Sequence, residues 1–273
     1  MKLPPFENTD WWKKYSENSI LLSYRGSISH GTFIPSSNPN SIDDVDVLGV
    51  YINPLSHYLG YEQKETYDFF EDQWDVVLYE FKKLVRLLSN SNPNVLNLLW
   101  TRDQDFLKKS PLGQKLLDNK QLFVSKKAYT TFMGYARSQL HKMTAGSFQG
   151  YMGDKRKKLV EQFGYDTKNA SHLIRLLTMG SEFLKSGEMQ VYRSDADHFI
   201  RIKKGEFTLE QIKQKAEELF QIIEEAYKMS PLPEEVDKEK INTLMVGILS
   251  EHFKIPTSEV HSCLNNYHRC KYE

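Results

Sequence analysis

The spacing of apolar residues changes once along the chain, at Glu80, and that change limits the fold more than any other feature. Before it, apolar residues come in short runs: SILLSY (19–24), DVLGVYI (46–52), and the pair TYDFFE and WDVVLY between 66 and 79. Runs of this length, stopped by Gly26 and by Asn53-Pro54, are the pattern of strands. After it, Phe81, Leu84, Val85, Leu87 and Leu88 recur at three and four, the helical period. That helix is expected to end in SNSNPN, where Pro93 pushes Asn92 out of helical geometry. Upstream, Asn8 or Thr9 is placed to cap a short helix through Tyr15. Beyond about residue 120 the pattern is almost wholly helical. Thr208 and Gln211 form a capping box, GYD (164–166) and Gly187 mark turns, Pro231 and Pro233 mark a loop, and a last helix stops before Pro256. The expected class is α+β: a small mixed-sheet core in residues 1–118 and an all-helical part in 119–273.

Charge and cysteine content narrow the function. Lys plus Arg and Asp plus Glu are 36 each, a net charge of zero. A non-specific nucleic-acid binder usually carries a basic excess, so any basic surface here must be local. Cys263 and Cys270 are the only cysteines, too few for a disulfide scaffold. The N-terminal MKLPPFENTDWW lacks the apolar core of a secretion signal. No apolar run approaches the ~20 residues of a membrane span. A cytoplasmic, globular protein without membrane contact is expected, and an apolar-rich helical half is compatible with a homo-oligomer. His261, Cys263, His268 and Cys270 can be drawn as a zinc set, but their spacing is not that of a common finger, and the segment reads as a terminal amphipathic helix. Trp11, Trp12, Trp74 and Trp100 are read as core or interface residues.

The chemistry is concentrated in GSISHGTFIPSSNPNSIDDVD, residues 26–46. A strand ends at Gly26-Ser27, where glycine lets the backbone approach an anion closely and a helix or turn starting there would aim free N–H groups at it. The next strand begins at Asp44-Val45-Asp46. Side chains two apart share a face, so Asp44 and Asp46 project together and repel unless a cation sits between them. A hard divalent ion takes carboxylate and phosphate oxygens, and such ions clamp the attacking and leaving oxygens of a phosphoryl or nucleotidyl transfer. The plain alternative is a turn at Gly-Ser with aspartates capping a loop, the role assigned to Asp43. His30 is a polar loop residue that needs no function.

Gly-Ser, a loop, then Asp-x-Asp with an apolar flank resembles the DNA polymerase β-type nucleotidyltransferase superfamily. GSxxxGT with SIDDVDVLGVYI, then DVVLYEFKKLVRLLSNSNPNVLNLLW, then GYDTKNASHLIRLLTMGSEFLKSGEMQV is more closely similar to the RlaP-like, RNA-ligase-associated nucleotidyltransferases, over roughly residues 20–195. The resemblance implies that Gly26 and Ser27 hold the triphosphate and that Asp44 and Asp46 bind two Mg²⁺ ions, with Mn²⁺ as a substitute. It implies a third carboxylate from a later strand. Asp75 matches best, with Asp68 and Glu80 as alternatives; the plain alternative for Asp75 is a helix N-cap.

In the helical half, Lys168, His172 and Arg175 are four and three apart, one polar stripe on a helix with Leu173, Leu176 and Leu177 behind it. It is either a solvated face or a cationic wall for a triphosphate or an RNA backbone, since Arg binds phosphate bidentately and Lys as a point charge. A second basic cluster, DKRKK (154–158), is denser and reads as solvated. The implied activity is metal-dependent transfer of a nucleoside monophosphate from an NTP to an acceptor hydroxyl, an RNA end such as a tRNA in RNA repair. One alternative is AMP transfer to a protein, antitoxin-like or regulatory. Another is an inactive module that binds a nucleotide or RNA.

Overall fold

The computed structural model describes residues 5–35, 43–61, 63–144 and 154–256. The stretch 36–42 of the glycine-to-aspartate loop and the His261–Cys270 set lie outside the described residues.

Five strands form one mixed sheet: β1 (Ser19–Tyr24), β2 (Val45–Tyr51), β3 (Thr66–Glu71), β4 (Trp74–Glu80) and β5 (Phe106–Lys109). Their order is β3-β4-β2-β1-β5. The β2–β4 pair is parallel and the other three are antiparallel. Within the first 118 residues, helices α1 (Asp10–Tyr15), α2 (Gly26–Ser29), α3 (Leu55–Leu59), α4 (Phe81–Ser89), α5 (Pro93–Leu96) and α6 (Pro111–Asp118) surround it. Then come α7 (Ala128–Thr144), α8 (Asp154–Phe163), α9 (Thr167–Ser186), α10 (Ala196–Lys203), α11 (Leu209–Lys228) and α12 (Lys238–Phe253). Among the described residues no helix is long and apolar enough to cross a membrane.

Most expected elements form, and for the expected reasons. Thr9 stands at the N-cap position of α1 but makes no side-chain cap bond, its Oγ1 donating instead to the Phe6 carbonyl at 2.6 Å. Glu80 caps α4, accepting from the Lys83 N–H at 3.0 Å. Asn92 caps α5. The Thr208–Gln211 box opens α11, and Gly187 ends α9 in the left-handed conformation at φ +71°. Two features depart from expectation. Asp44 sits just before β2 rather than in it. β5, with the sequence FLKK, was not anticipated, because an edge strand of four residues with two lysines has no apolar period.

The two sheet faces do different work. Val45, Val47 and Tyr51 of β2 join Trp74, Val76 and Leu78 of β4 in an outer cluster closed by Trp11 and Tyr15 of α1. The opposite face, with Leu48 and Val50, packs into one core with Phe81 and Leu99 and with Leu173 and Phe183 of the helical half. Strand alternation therefore aims Asp46 and Asp75 at the helices.

Candidate active site

β1 delivers the chain to the site. Arg25 is extended and donates its N–H to the Asp46 carbonyl at 2.9 Å. Gly26 turns to φ +61°, and a Cβ there would collide with Asp46 Oδ2. The loop is closed internally: Ser29 Oγ donates to the Gly26 carbonyl at 3.1 Å, and the Thr32 N–H donates to the Ser27 carbonyl at 2.8 Å. Ser27 Oγ and Arg25 Nε are buried and have no partner among the described residues. Buried polar atoms are almost always hydrogen-bonded, and the residues that carry these two both line one cavity.

The carboxylates meet across the parallel pair. Asp46 and Asp75 are register partners on β2 and β4. Asp68 is instead paired with Val77 on the exposed edge strand. Glu80 is buried and already engaged, as the α4 cap and as acceptor from Tyr58 Oη at 2.6 Å. The Asp46 carboxyl is pushed up to about 6. Burial is the main cause, Asp75 and Asp44 add to it, and Arg25 and Lys168 oppose it. Arg25 also reaches Asp75, Nη2 to Oδ1 at 3.6 Å. Among the described residues no three His, Cys, Asp or Glu side chains converge closely enough to hold a metal ion as they stand. The donor set is nevertheless all carboxylate oxygen, the kind Mg²⁺ takes, and the burial that raises Asp46 disfavours its charged form unless a cation compensates it. The residues fit a divalent ion in kind, with the Arg25 guanidinium as its competitor for Asp75.

Asp43 does more than cap a loop. Buried, it accepts from the Ile34 N–H at 3.0 Å, from Lys203 Nζ at 2.9 and 3.1 Å, and is 3.4 Å from Lys168 Nζ. Lys203 also donates to the Thr32 carbonyl at 2.9 Å. Burial lowers the Lys203 pKa, and the Asp43 charge opposes that.

α9 supplies the facing wall. Asp166 caps it, accepting from the Asn169 N–H at 3.0 Å. Lys168, His172 and Arg175 line the same cavity as Gly26, Ser27 and Asp46, so the stripe does not face bulk solvent. The cavity measures about 320 Å³. His172 is lowered to about 3, by burial first and then by Arg175 and other cations. Arg175 is lowered to about 9, by burial and then by Arg193. His30 is a working part of this wall. Its Nδ1 lies 2.8 Å from the Val191 carbonyl and its Nε2 2.5 Å from Arg175 Nη1. A carbonyl can only accept, so Nδ1 carries the proton and Nε2 accepts from the guanidinium. Burial, then Arg175, holds His30 well below its ordinary pKa.

Asp44 and Asp75 are not among the residues that line the cavity, whereas Asp46, Gly26, Ser27, Lys168, His172 and Arg175 are. Sequence reasoning missed Arg25, Lys203 and the wall made by Asn94, Asn97 and Thr101. Arg25 could have been suspected from its place directly before Gly26.

Comparison with known proteins adds the family. The model of the RNA repair pathway DNA polymerase beta family, RlaP, matches residues 13–247. No curated protein is significantly similar to the chain. Among solved structures it resembles a nucleotidyltransferase-like protein from Exiguobacterium sibiricum 255-15, at 11% identity and a TM-score of 0.30, over 81% of this chain and 73% of that one. A likeness that distant carries no weight beside the family match. That match takes in the Gly-Ser turn, the carboxylate strands and α9 together, and the chain belongs to the RNA repair pathway DNA polymerase beta family, a family of nucleotidyltransferases.

Proposed function

We propose that the protein transfers a nucleoside monophosphate from a nucleoside triphosphate to a hydroxyl at an RNA end, such as that of a tRNA, with Mg²⁺ or Mn²⁺. The observation that supports this most is the cavity that joins three chemistries. It holds the Gly26–Ser27 turn with its unpartnered hydroxyl, the Asp46 carboxyl with its raised pKa, and the cations of α9. The family supports the RNA acceptor.

Each residue has a role in this reading. Ser27 Oγ and Arg25 bind phosphate oxygens, and Gly26 lets them come close to Asp46. Lys168 and Arg175 neutralise the triphosphate from the opposite wall. His30 holds Arg175 in place. Asp44, Asp46 and Asp75 would hold the divalent ions, which supply charge neutralisation at the transferring phosphoryl group and acidify the acceptor hydroxyl. Asp75, whose side chain is 43% exposed, stands at the open side, where a large acceptor must approach.

The test uses each α-³²P-labelled NTP with Mg²⁺ and total tRNA, and the Asp46→Asn, Asp75→Asn variant beside wild type. Label on RNA that the variant does not transfer is the expected result. Label on a protein band would move the acceptor to protein. No label on any acceptor, with NTP still bound, would sink the catalytic reading in favour of a binding module.

A further inference from the structure

The phosphate-binding end of the cavity uses Arg25, Ser27, Lys168 and Arg175, and leaves one wall without a task. That wall is α5 with the following 3-10 turn, Asn97–Trp100. Asn94, Asn97 and Thr101 are three and four apart and line the cavity from it. They carry no charge, which suits the neutral nucleoside of a nucleotide better than its phosphates.

The groups on this wall are not equally available. Thr101 Oγ1 is committed, donating to the Asn97 carbonyl at 3.1 Å. Asn97 Oδ1 is buried and has no partner among the described residues. Its residue lines the cavity together with Ser27 and Arg25, whose Oγ and Nε are likewise buried and unpartnered among the described residues. The wall is also held firmly. Asn92 Oδ1 accepts from the Asn94 N–H at 3.0 Å, and its Nδ2 donates to Tyr135 Oη of α7 at 3.0 Å. Thr131 Oγ1 of α7 donates to the Ser91 carbonyl at 2.9 Å. Leu96, Leu98 and Leu99 are buried in the core. A group fixed this way can discriminate, because a ligand that does not match it leaves a buried acceptor unpaired.

We infer that Asn97 is the residue that reads the nucleoside end of the triphosphate, its Oδ1 accepting a hydrogen bond from a donor on the nucleoside. This rests on the nucleotide reading of the site. An amide oxygen only accepts, so the ligand must offer an N–H or O–H there. Two parts of a nucleoside do so, the ribose hydroxyl and an exocyclic amino group of the base.

The experiment is isothermal titration of the full chain with Mg²⁺ and without acceptor RNA. The probes are the four ribonucleoside triphosphates, their 2′-deoxy counterparts and inorganic tripolyphosphate. Wild type is compared with Asn97→Ala, and with the near-isosteric Asn97→Leu should the smaller side chain unsettle the fold. Wild type is expected to discriminate by about tenfold or more, either ribose over deoxyribose or one base over another. Both variants should lose that discrimination while binding tripolyphosphate as wild type does. Loss of the ribose preference alone identifies the sugar hydroxyl as the donor, and loss of the base preference alone identifies the base. Variants that bind nucleotides with the wild-type ratios would overturn the role of Asn97 and leave the nucleotide site standing. A wild type that binds neither nucleotide nor tripolyphosphate would overturn both.

Discussion

Gly26 meets two demands that no other residue type meets together. Its φ of +61° is a left-handed backbone, and a Cβ would strike Asp46 Oδ2. Gly26→Ala is expected to cost about 1–2 kcal/mol from the backbone alone, and to abolish transfer by displacing Asp46. Urea unfolding and the labelled-NTP assay measure the two effects; a variant of wild-type activity would remove Gly26 from the site. Asp46 makes the opposite prediction for stability. Its carboxyl sits at about 6 in the folded chain, against an ordinary 3.8. The folded state therefore holds the proton more tightly than the unfolded state does. Ionising Asp46 destabilises the fold as pH rises from about 4 to about 6, and the penalty persists above that. A shift of this size corresponds to about 2–3 kcal/mol. Asp46→Asn, measured in chelator, should gain roughly that much stability at about pH 7 and almost nothing at about pH 4. An equal gain at both pH values would mean that the charge is not the cause. Gly26, Ser27, Asp46 and α9's cations, which the fold gathers in one cavity, were legible as a group because a Gly-Ser turn, an Asp-x-Asp pair and a cationic stripe stand out by residue type and spacing. Arg25 and Asn97 were not, because an arginine or an asparagine alone looks like surface until the fold buries one of its atoms.

At the scale of elements, one lysine ties loop, strand and helix together. Lys203, at the end of α10, holds the Thr32 carbonyl and the Asp43 carboxylate, the two sides of the stretch that links α2 to β2. Lys168 of α9 shares Asp43. The clasp fixes where β2 begins, and hence the height of Asp46 beneath α9. Removing one partner of a buried pair leaves the other charge uncompensated, at a cost of about 3–5 kcal/mol. Lys203→Met should fall at the low end of that range, since Lys168 still faces Asp43. The double variant Lys203→Met, Asp43→Asn should be less destabilised than the sum of the two single changes. A double-mutant cycle in urea checks this, and strict additivity would show that the pair is not coupled. Sequence legibility ends at pairing. The runs that became β1, β2 and β4 were visible because burial imposes their apolar pattern. The family resemblance favoured Asp75 over Asp68 and Glu80, but no apolar pattern states that it stands beside Asp46. That follows from the β2–β4 register, which neither strand encodes alone.

Over the whole molecule, a boundary near residue 118 divides the chemistry without dividing the core. One apolar cluster runs from Ile20 and Val50 in the sheet, through Phe81, Leu88 and Leu99, to Phe183, Ile223 and Ile248 in the helices. The site lies on this seam. Carboxylates and the Gly-Ser turn come from the sheet side, Lys168 and Arg175 from the helix side. The zero net charge does not prevent a local cluster of cations: Arg25, Arg156, Lys168, Arg175 and Lys203 all line the cavity. A shared core should make the halves unfold together, because separating them would expose Leu48, Val50, Phe81 and Leu84, all buried, at about 25 cal/mol per Å² of apolar surface. Calorimetry of the full chain is therefore expected to give one transition whose calorimetric and van't Hoff enthalpies agree. Residues 1–118 expressed alone should lack a cooperative transition. Two resolved transitions would mean that the halves are held mainly by polar contacts such as the Lys203–Asp43 clasp. Opening the cavity would then be a cheap domain motion, available at every cycle of nucleotide entry and release.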